Sequence, residues 1–305
     1  MSIVPTSEPM TSRLAAQTLE RLTQTYPFIR AETIGTTAFG RPIRAMKLGT
    51  GNRRVLYSAA HHANEWITAT LLLKFAGDYA SAIESDGEIG GRSARALSRD
   101  ATICIVPMVN PDGVDLVTGV LQPGEEQYER ALGFARNYSN IPFPEGWKAN
   151  LNGVDLNLQY PAGWLMAREI KFMQGYTSPA PRDYVGRAPL NQAESLALYD
   201  YTQRIDPELV LAFHTQGKVI YWQYADIEIP GAEALARRFA EVSGYALEDV
   251  PYASSFAGYK DWFIQYFRRP GFTIEAGKGR NPLPPEQFEQ IYEKLKKILL
   301  VGITP

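Results

Sequence analysis

The sequence predicts a single α/β layer domain, and three observations carry this prediction. Runs typical of strands alternate with runs typical of helices through most of the chain, which is the pattern of a sheet covered by helices. A chain of 305 residues with 45% hydrophobic residues can bury a substantial core. There is no internal repeat, linker or low-complexity tract, so we expect one domain over 1–305, with 1–24 as an N-terminal helical lead-in.

The first part of the chain shows the clearest alternation. The predicted elements are a helix over 12–26, strands over 41–49 and 53–60, a helix over 64–83, and a buried strand over 101–109. Asn64 is placed to cap the second helix, because asparagine accepts hydrogen bonds from the free amides of a first turn. The motif Asn-Pro-Asp-Gly at 110–113 predicts a turn that stops the last strand.

A long stretch over 117–190 lacks clear periodicity. Loops of this length inside a compact domain are usually functional or disordered, and the many aromatic residues of this one favour order. Regular elements return after it. They are a helix over 190–205 with Asn191 and Glu194 spaced as a capping box, strands over 208–217 and 219–224, helices over 232–245 and 261–267, a strand over 271–277, and a closing helix over 285–302.

The composition excludes several classes of function. The net charge of −2 provides no basic surface, so we expect no nucleic-acid partner. No apolar run reaches the length of a membrane span, and residues 1–17 lack the order of a secretory signal, which together predict a cytoplasmic protein without membrane association. Cys104 is the only cysteine and lies in an apolar run, so we expect a buried thiol. The oligomeric state is not predicted.

Two of the three histidines stand side by side in "SAAHHANEWIT". His61 and His62 follow the predicted strand over 53–60, His214 ends "ELVLAF", and Glu275 ends "GFTI". All four therefore lie at strand ends, where open α/β sheets bind ligands. His62 and Glu65 are three residues apart where a helix starts, so their side chains can converge. Two histidines and one carboxylate form a ligand set for catalytic zinc.

The same residues also allow a simpler interpretation. A His-x-x-Glu pair occurs often by chance. His214 could be a core histidine that is hydrogen-bonded to the backbone. Nothing acidic lies at helical spacing from His61, so we expect it to pack beside the metal ligands rather than to bind metal.

Five motifs that occur in order favour the zinc site over the simpler interpretation: "HHANEWIT", "NPDG", "GVDLN", "AFHTQG" and "GFTIEAG". Together they resemble the zinc carboxypeptidase family, and specifically its bacterial branch that cuts γ-D-glutamyl-diamino acid bonds in peptidoglycan peptides. The resemblance runs from about residue 25 to the C-terminus. It implies a single-domain fold with a mixed central β-sheet and helices on both faces. It also implies one zinc ion per chain, held by His62, Glu65 and His214, and a diaminopimelate-containing peptide as substrate.

The resemblance implies roles for three further residues. Glu275 matches the family's catalytic glutamate, and its apolar neighbours in the strand should raise its pKa and suit it to carry protons. A glutamate facing water at a strand end is the alternative. Lys148 lies where the family has an arginine that stabilises the oxyanion, and a place on a solvated loop is the alternative. Asp155 matches a carboxylate that accepts a hydrogen bond from a zinc-bound histidine.

Substrate-binding positions follow from the same motifs. Asn157 matches a family residue that binds substrate. The carboxypeptidases of the family follow that asparagine with an arginine that clamps the terminal carboxylate, whereas this chain has Leu158, which offers neither a hydrogen bond nor a charge. Leu158 could also be a core residue, with a clamp supplied by another loop. Arg280 or Lys260 could provide a cation for the distal carboxylate of diaminopimelate.

A mobile tyrosine of the family precedes its Asp-Trp pair. Tyr252 is the nearest match here, with one additional residue in between, and Tyr259 competes with it. Gln216, in "AFHTQG", is a further candidate for substrate binding.

Two other functions remain open at this point. One is an ordinary zinc carboxypeptidase that releases C-terminal amino acids, which the absence of an arginine at Leu158 disfavours. The other is an inactive zinc-containing binding protein, which the presence of Glu275 disfavours.

Overall fold

Short apolar runs of the chain form a mixed eight-stranded β-sheet in the computed structural model, which describes residues 3–304. The strands are β1 (Arg30–Thr36), β2 (Pro42–Leu48), β3 (Arg53–Ala59), β4 (Glu88–Ile89), β5 (Arg92–Ser93), β6 (Ala101–Val106), β7 (Leu209–Thr215), β8 (Val219–Tyr221), β9 (Ala246–Leu247) and β10 (Gly271–Ala276). The main sheet has the order β1-β2-β6-β3-β7-β10-β8-β9, and β4 and β5 form a separate hairpin.

The four central strands, β6, β3, β7 and β10, run parallel to one another. Every residue of β7 is buried, which is typical of a parallel strand covered on both faces. After β3 the chain moves to one side of the sheet to form β6, and later to the other side to form β7. The carboxyl ends of β3, β7 and β10 therefore meet beside the point where the strand order reverses, the position at which such sheets bind ligands.

Helices cover both faces of this sheet. They are α1 (Ser12–Thr25), α2 (Ile67–Glu84), α3 (Ala94–Asp100), α4 (Pro111–Val117), α5 (Glu126–Ala135), α6 (Trp164–Met173), α7 (Ala193–Ile205), α8 (Ala232–Ser243), α9 (Tyr259–Phe267) and α10 (Phe288–Ile303). Successive β3 residues alternate between two cores: Tyr57 packs with residues of α1, α2, α8 and α10, whereas Leu56 packs with residues of α7 and α9. The predicted fold class is confirmed.

Three local predictions are wrong, the first two because a distant group takes the side chain concerned. Asn64 does not cap α2; its amide donates to the Glu145 carbonyl at 3.0 Å. Asn191 and Glu194 form no capping box, because Asn150 bonds the Glu194 carboxylate and Gln192 occupies the cap position. The Asn-Pro-Asp-Gly motif starts helix α4 rather than a turn, with the side chain of Asn110 accepting from Gly113 N.

The stretch over 117–190 contains two helices, α5 and α6, which its weak periodicity did not predict, and β1 was also missed. Cys104 is buried, as expected. Within residues 3–304 there is no helix with both the length and the apolar character needed to cross a bilayer. The cytoplasmic location stays a prediction.

Candidate metal centre and active-site cavity

Three side chains converge at the carboxyl end of the sheet. His62 follows β3, Glu65 lies in a 3-10 turn over Ala63–Glu65, and His214 is the penultimate residue of β7. Nδ1 of His62 lies 3.0 Å from one carboxylate oxygen of Glu65, and Nδ1 of His214 lies 2.9 Å from the other. The ligand atoms of the three residues all lie within 4.8 Å of one another.

This donor set fits a zinc ion. The Nδ1 atoms of His62 and His214 are only 3.2 Å apart, and two unprotonated ring nitrogens would direct lone pairs at each other at that distance. A divalent cation between them and the Glu65 carboxylate removes that repulsion, and two imidazoles plus one carboxylate form a catalytic zinc set. The structure therefore brings together the three residues predicted to hold the metal.

The far nitrogen of His62 is held by Asp155, whose Oδ1 lies 3.1 Å from Nε2. A proton on Nε2 that bonds to Asp155 leaves Nδ1 free to bind metal. Burial lowers the pKa of His62, but Glu65 and Asp155 outweigh it and raise that pKa to about 9. Burial acts to raise the pKa of Asp155, but His62 and Lys148 favour its ionised form and hold that pKa well below its usual range.

His61 lies behind the metal centre and not in it. It is fully buried, its ring stacks on that of His214 with centroids 5.4 Å apart, and Nε2 lies 3.5 Å from the Tyr160 hydroxyl. Burial and the neighbouring histidines lower its pKa well below the usual value, so the ring is neutral packing.

Glu275 lies beside the metal donors because β10 pairs with β7 so that Glu275 is opposite His214. Side chains at paired positions of parallel strands point to the same face, so Glu275 enters the cavity next to the metal centre. Burial and the nearby Glu65 carboxylate raise the pKa of Glu275 to about 8, while Lys148 and His62 act against that rise.

Lys148 reaches the same centre from the long stretch over 117–190. Its Nζ lies 3.0 Å from Oε1 of Glu65, and only 16% of the side chain is exposed. Its backbone is fixed on both sides: the carbonyl accepts from Ala63 N, and its amide donates to the Pro181 carbonyl. The position is a cation held against the metal centre and not a solvated loop.

A cavity of about 710 Å³ opens above these groups, large enough for a peptide of a few residues. Asn157, Leu158 and Gln216 all line it. The side-chain oxygen of Asn157 accepts from Tyr259 N at 3.0 Å, which leaves its amide nitrogen to face a ligand. The side-chain oxygen of Gln216 accepts from Gly279 N at 3.3 Å, with the same consequence.

The two tyrosine candidates lie in different places. Tyr259 is fully buried, with its hydroxyl 2.8 Å from that of Thr202, and it does not line the cavity. Tyr252 is 67% exposed near the rim, beside the cavity-lining residues Pro251 and Ser254. Of the two, only Tyr252 lies near the opening, where its ring contacts Phe256.

The two predicted cations also differ. Lys260 is buried, and its ammonium is already paired with Asp261 at 2.6 Å and bonded to the Gln223 carbonyl. Arg280 is exposed and lines the cavity.

Three charged residues of the cavity wall were not predicted from the sequence: Lys171, Arg182 and Asp183. A signal was present, because Arg182 and Asp183 are the only charged residues in 172–186. Isolated charged residues in an ordered, otherwise uncharged loop are candidates for a functional role.

Comparisons with known proteins agree with this geometry. A model of the zinc carboxypeptidase family matches residues 15–297. The chain is 43% identical over 285 residues to gamma-D-glutamyl-L-diamino acid endopeptidase 1 of Lysinibacillus sphaericus, covering 93% of this chain and 70% of that protein. It is 38% identical over 286 residues to the uncharacterized protein YqgT of Bacillus subtilis (strain 168), covering 92% and 73%.

Among solved structures, bovine thrombin-activatable fibrinolysis inhibitor, in complex with tick carboxypeptidase inhibitor, matches 98% of this chain and 97% of its own with a TM-score of 0.73. At 16% identity that match shows the fold alone. The family predicted from the ordered motifs is confirmed by the sequence matches, and the chain belongs to the zinc carboxypeptidase family.

Proposed function

We propose that this protein is a zinc-dependent peptidase that hydrolyses the γ-D-glutamyl-diamino acid bond of peptidoglycan-derived peptides, with diaminopimelate as the diamino acid. One observation carries the proposal: His62, Glu65 and His214 converge at the wall of the cavity that Glu275 and Lys148 also line. The name of the 43% identical relative supports the choice of bond.

Amide hydrolysis needs an acidified water, a base and a partner for the oxyanion. Zinc, when bound by the two histidines and Glu65, would lower the pKa of a bound water and polarise the scissile carbonyl. Glu275 takes a proton from the attacking water and passes it to the departing amine. The raised pKa of this carboxyl suits both transfers, because a group that titrates near neutral pH can accept and return a proton with little driving force lost.

Lys148 stabilises the negative charge that develops on the carbonyl oxygen. Its ammonium is nearly buried, and a charged donor in a water-poor site acts more strongly than one in bulk water. Asp155 orients the His62 ring through Nε2, and the free amide of Asn157 is placed to bind the peptide.

Leu158 supports the choice of a γ-glutamyl substrate over an ordinary C-terminal peptide. Leu158 lines the cavity at the position where the carboxypeptidases of the family have an arginine, although its side chain is largely buried and packs in a core cluster with Trp164 and Val185. A C-terminal carboxylate brought against leucine would lose its water without gaining a partner, which costs several kcal/mol. Binding of ordinary L-peptide C-termini should therefore be poor.

The experiment uses purified zinc-loaded protein and mass spectrometry of products. The substrates are L-Ala-γ-D-Glu-meso-diaminopimelate, its L-Lys counterpart, and a hippuryl-type substrate for ordinary carboxypeptidases. We expect release of free diaminopimelate and L-Ala-D-Glu, and slow cleavage of the hippuryl compound. The Glu275→Gln protein, purified in parallel, controls for a contaminating peptidase. Faster cleavage of the hippuryl compound would contradict the proposal.

A further inference from the structure

Three charged side chains form a cluster in the cavity wall: Lys171, Arg182 and Asp183. The two carboxylate oxygens of Asp183 are shared, with Oδ1 2.6 Å from Lys171 Nζ and Oδ2 2.7 Å from Arg182 Nε. One negative charge thus serves two positive ones, so the cluster keeps a net positive charge. Lys171 is nearly buried, with 6% of its side chain exposed, whereas Arg182 faces the cavity with 42% exposed.

The loop that carries Arg182 is fixed to the metal centre by its backbone. Asp183 N donates to the second oxygen of Asp155, whose first oxygen faces His62. The Pro181 carbonyl accepts from the amide of Lys148. Arg182 therefore lies between two residues whose positions are set by the metal ligands and the oxyanion cation.

A close approach of two chain segments makes this arrangement possible. Ala180 N donates to the Gly153 carbonyl at 2.9 Å, and a Cβ at Gly153 would lie 2.8 Å from the Pro179 side chain. Gly153 also has φ +70°, a conformation that favours glycine. The segment leading to Asp155 and the segment leading to Arg182 are thus packed as one unit.

The guanidinium of Arg182 is held but not saturated. Asp183 takes only Nε, and the two terminal nitrogens have no hydrogen-bond partner among residues 3–304. Two parallel N–H donors on a planar, oriented group match the two oxygens of a carboxylate. The other cavity cations are less suited: Lys260 is neutralised by Asp261, and no side-chain contact within the described part of the chain fixes Arg280.

A γ-linked glutamyl residue carries a free carboxylate that an ordinary peptide lacks. Its peptide bond is made through the side chain, so its α-carboxylate stays ionised and lies only a short carbon chain from the scissile carbonyl. We propose that Arg182 binds this α-carboxylate and thereby selects γ-glutamyl over α-linked peptides. This inference rests on the proposed function, and it names the group that recognises the acyl side of the substrate.

The test combines one protein change with one substrate change. The substrates are L-Ala-γ-D-Glu-meso-diaminopimelate, the analogue with the glutamyl α-carboxylate converted to carboxamide, and the analogue with a carboxamide at the diaminopimelate carboxyl next to the scissile nitrogen. Values of kcat/KM are measured for the wild type, Arg182→Gln and Arg182→Lys. Arg187→Gln is the matched control, because Arg187 is an exposed arginine of the same loop that does not line the cavity.

We expect Arg182→Gln to lose about 30-fold or more in kcat/KM on the parent peptide, the order found when one partner of a charged hydrogen-bonded pair is removed. Amidation of the glutamyl carboxylate should cost the wild type a similar factor and cost Arg182→Gln almost nothing. Arg182→Lys should fall between the two, since lysine keeps the charge without the fork. Arg187→Gln should match the wild type.

An amidation penalty that is as large in Arg182→Gln as in the wild type would overturn the inference. So would a penalty that disappears only for the diaminopimelate carboxamide, because Arg182 would then hold the leaving side. Zinc content and thermal unfolding of the variants identify a folding defect, and in that case Arg182→Lys carries the comparison. A wild type that cleaves no γ-D-glutamyl peptide would instead refute the proposed function.

Discussion

Replacing Glu194 with glutamine should stabilise the protein, and only at a pH where the buried carboxyl is ionised. Glu194 lies in the first turn of α7 with 2% of its surface exposed. Asn150 donates to its carboxylate, but no cation among residues 3–304 forms an ion pair with it. Burial is the main reason that its pKa is raised from 4.5 to about 7. The contact also holds down the segment from Asn150 to Asp155, which orients His62.

The size of the stabilisation follows from the pKa of Glu194 in the unfolded chain, 4.5, and in the folded protein, about 7. One pKa unit corresponds to about 1.4 kcal/mol, so ionised Glu194 costs the folded state about 3 kcal/mol. The folded protein holds the proton more tightly than the unfolded chain does. The free energy of unfolding should therefore fall as the pH rises from 4.5 to about 7 and stay reduced above that. Glutamine removes the charge and keeps an oxygen for Asn150, so this loss should vanish.

The assay is urea unfolding of both proteins over a pH series with saturating zinc, so that metal linkage is common to both. The stability difference should grow by about 3 kcal/mol between roughly pH 4 and pH 8. If the glutamine amide changes the free energy of unfolding by a fixed amount, that amount is the same at every pH and leaves this growth unchanged. Asp200→Asn, at an exposed position of the same helix, is the matched control and should show no such growth. Parallel curves for the Glu194→Gln and wild-type proteins would refute the argument.

Three further predictions concern the site. His62→Ala and His214→Ala should lose zinc in metal analysis. His61→Ala should keep it, because His61 lies outside the converging donors. Near-full zinc occupancy in the first two variants would refute the ligand assignment. Glu275→Gln should keep zinc and fold but lose roughly two to four orders of magnitude in turnover, and more than about a tenth of the activity left would require another base. Lys148→Ala should lower kcat on the order of a hundredfold, while a changed KM alone would place Lys148 in substrate binding.

The sequence predicted the central strands from local pattern, and the metal donors from their places at strand ends together with the ordered family motifs. Continuous apolar runs mark β3, β7 and β10, and the polar residues at their carboxyl ends must meet at one edge of the sheet. The capping predictions failed for a physical reason. Glu194 has the spacing of a capping residue, yet its carboxylate bonds Asn150, which is 44 residues away in the chain. A local hydrogen bond competes with tertiary partners, and spacing alone does not reveal them.

Arg182, the group proposed to bind the glutamyl carboxylate, was not predicted from the sequence for the same reason. Arg182 enters the cavity because backbone contacts at Asp183, Pro181 and Gly153 hold its loop against Asp155, Lys148 and the segment that leads to Asp155, and none of these contacts is local in sequence. The candidate metal donors lie on strand ends and a single turn, whereas Lys148, Asn157 and Arg182, which line the cavity, lie in the 117–190 stretch that packs on that edge. Changes in the 117–190 stretch can therefore alter the peptide that is cleaved while the zinc donors stay in place, which is how one scaffold comes to serve several specificities.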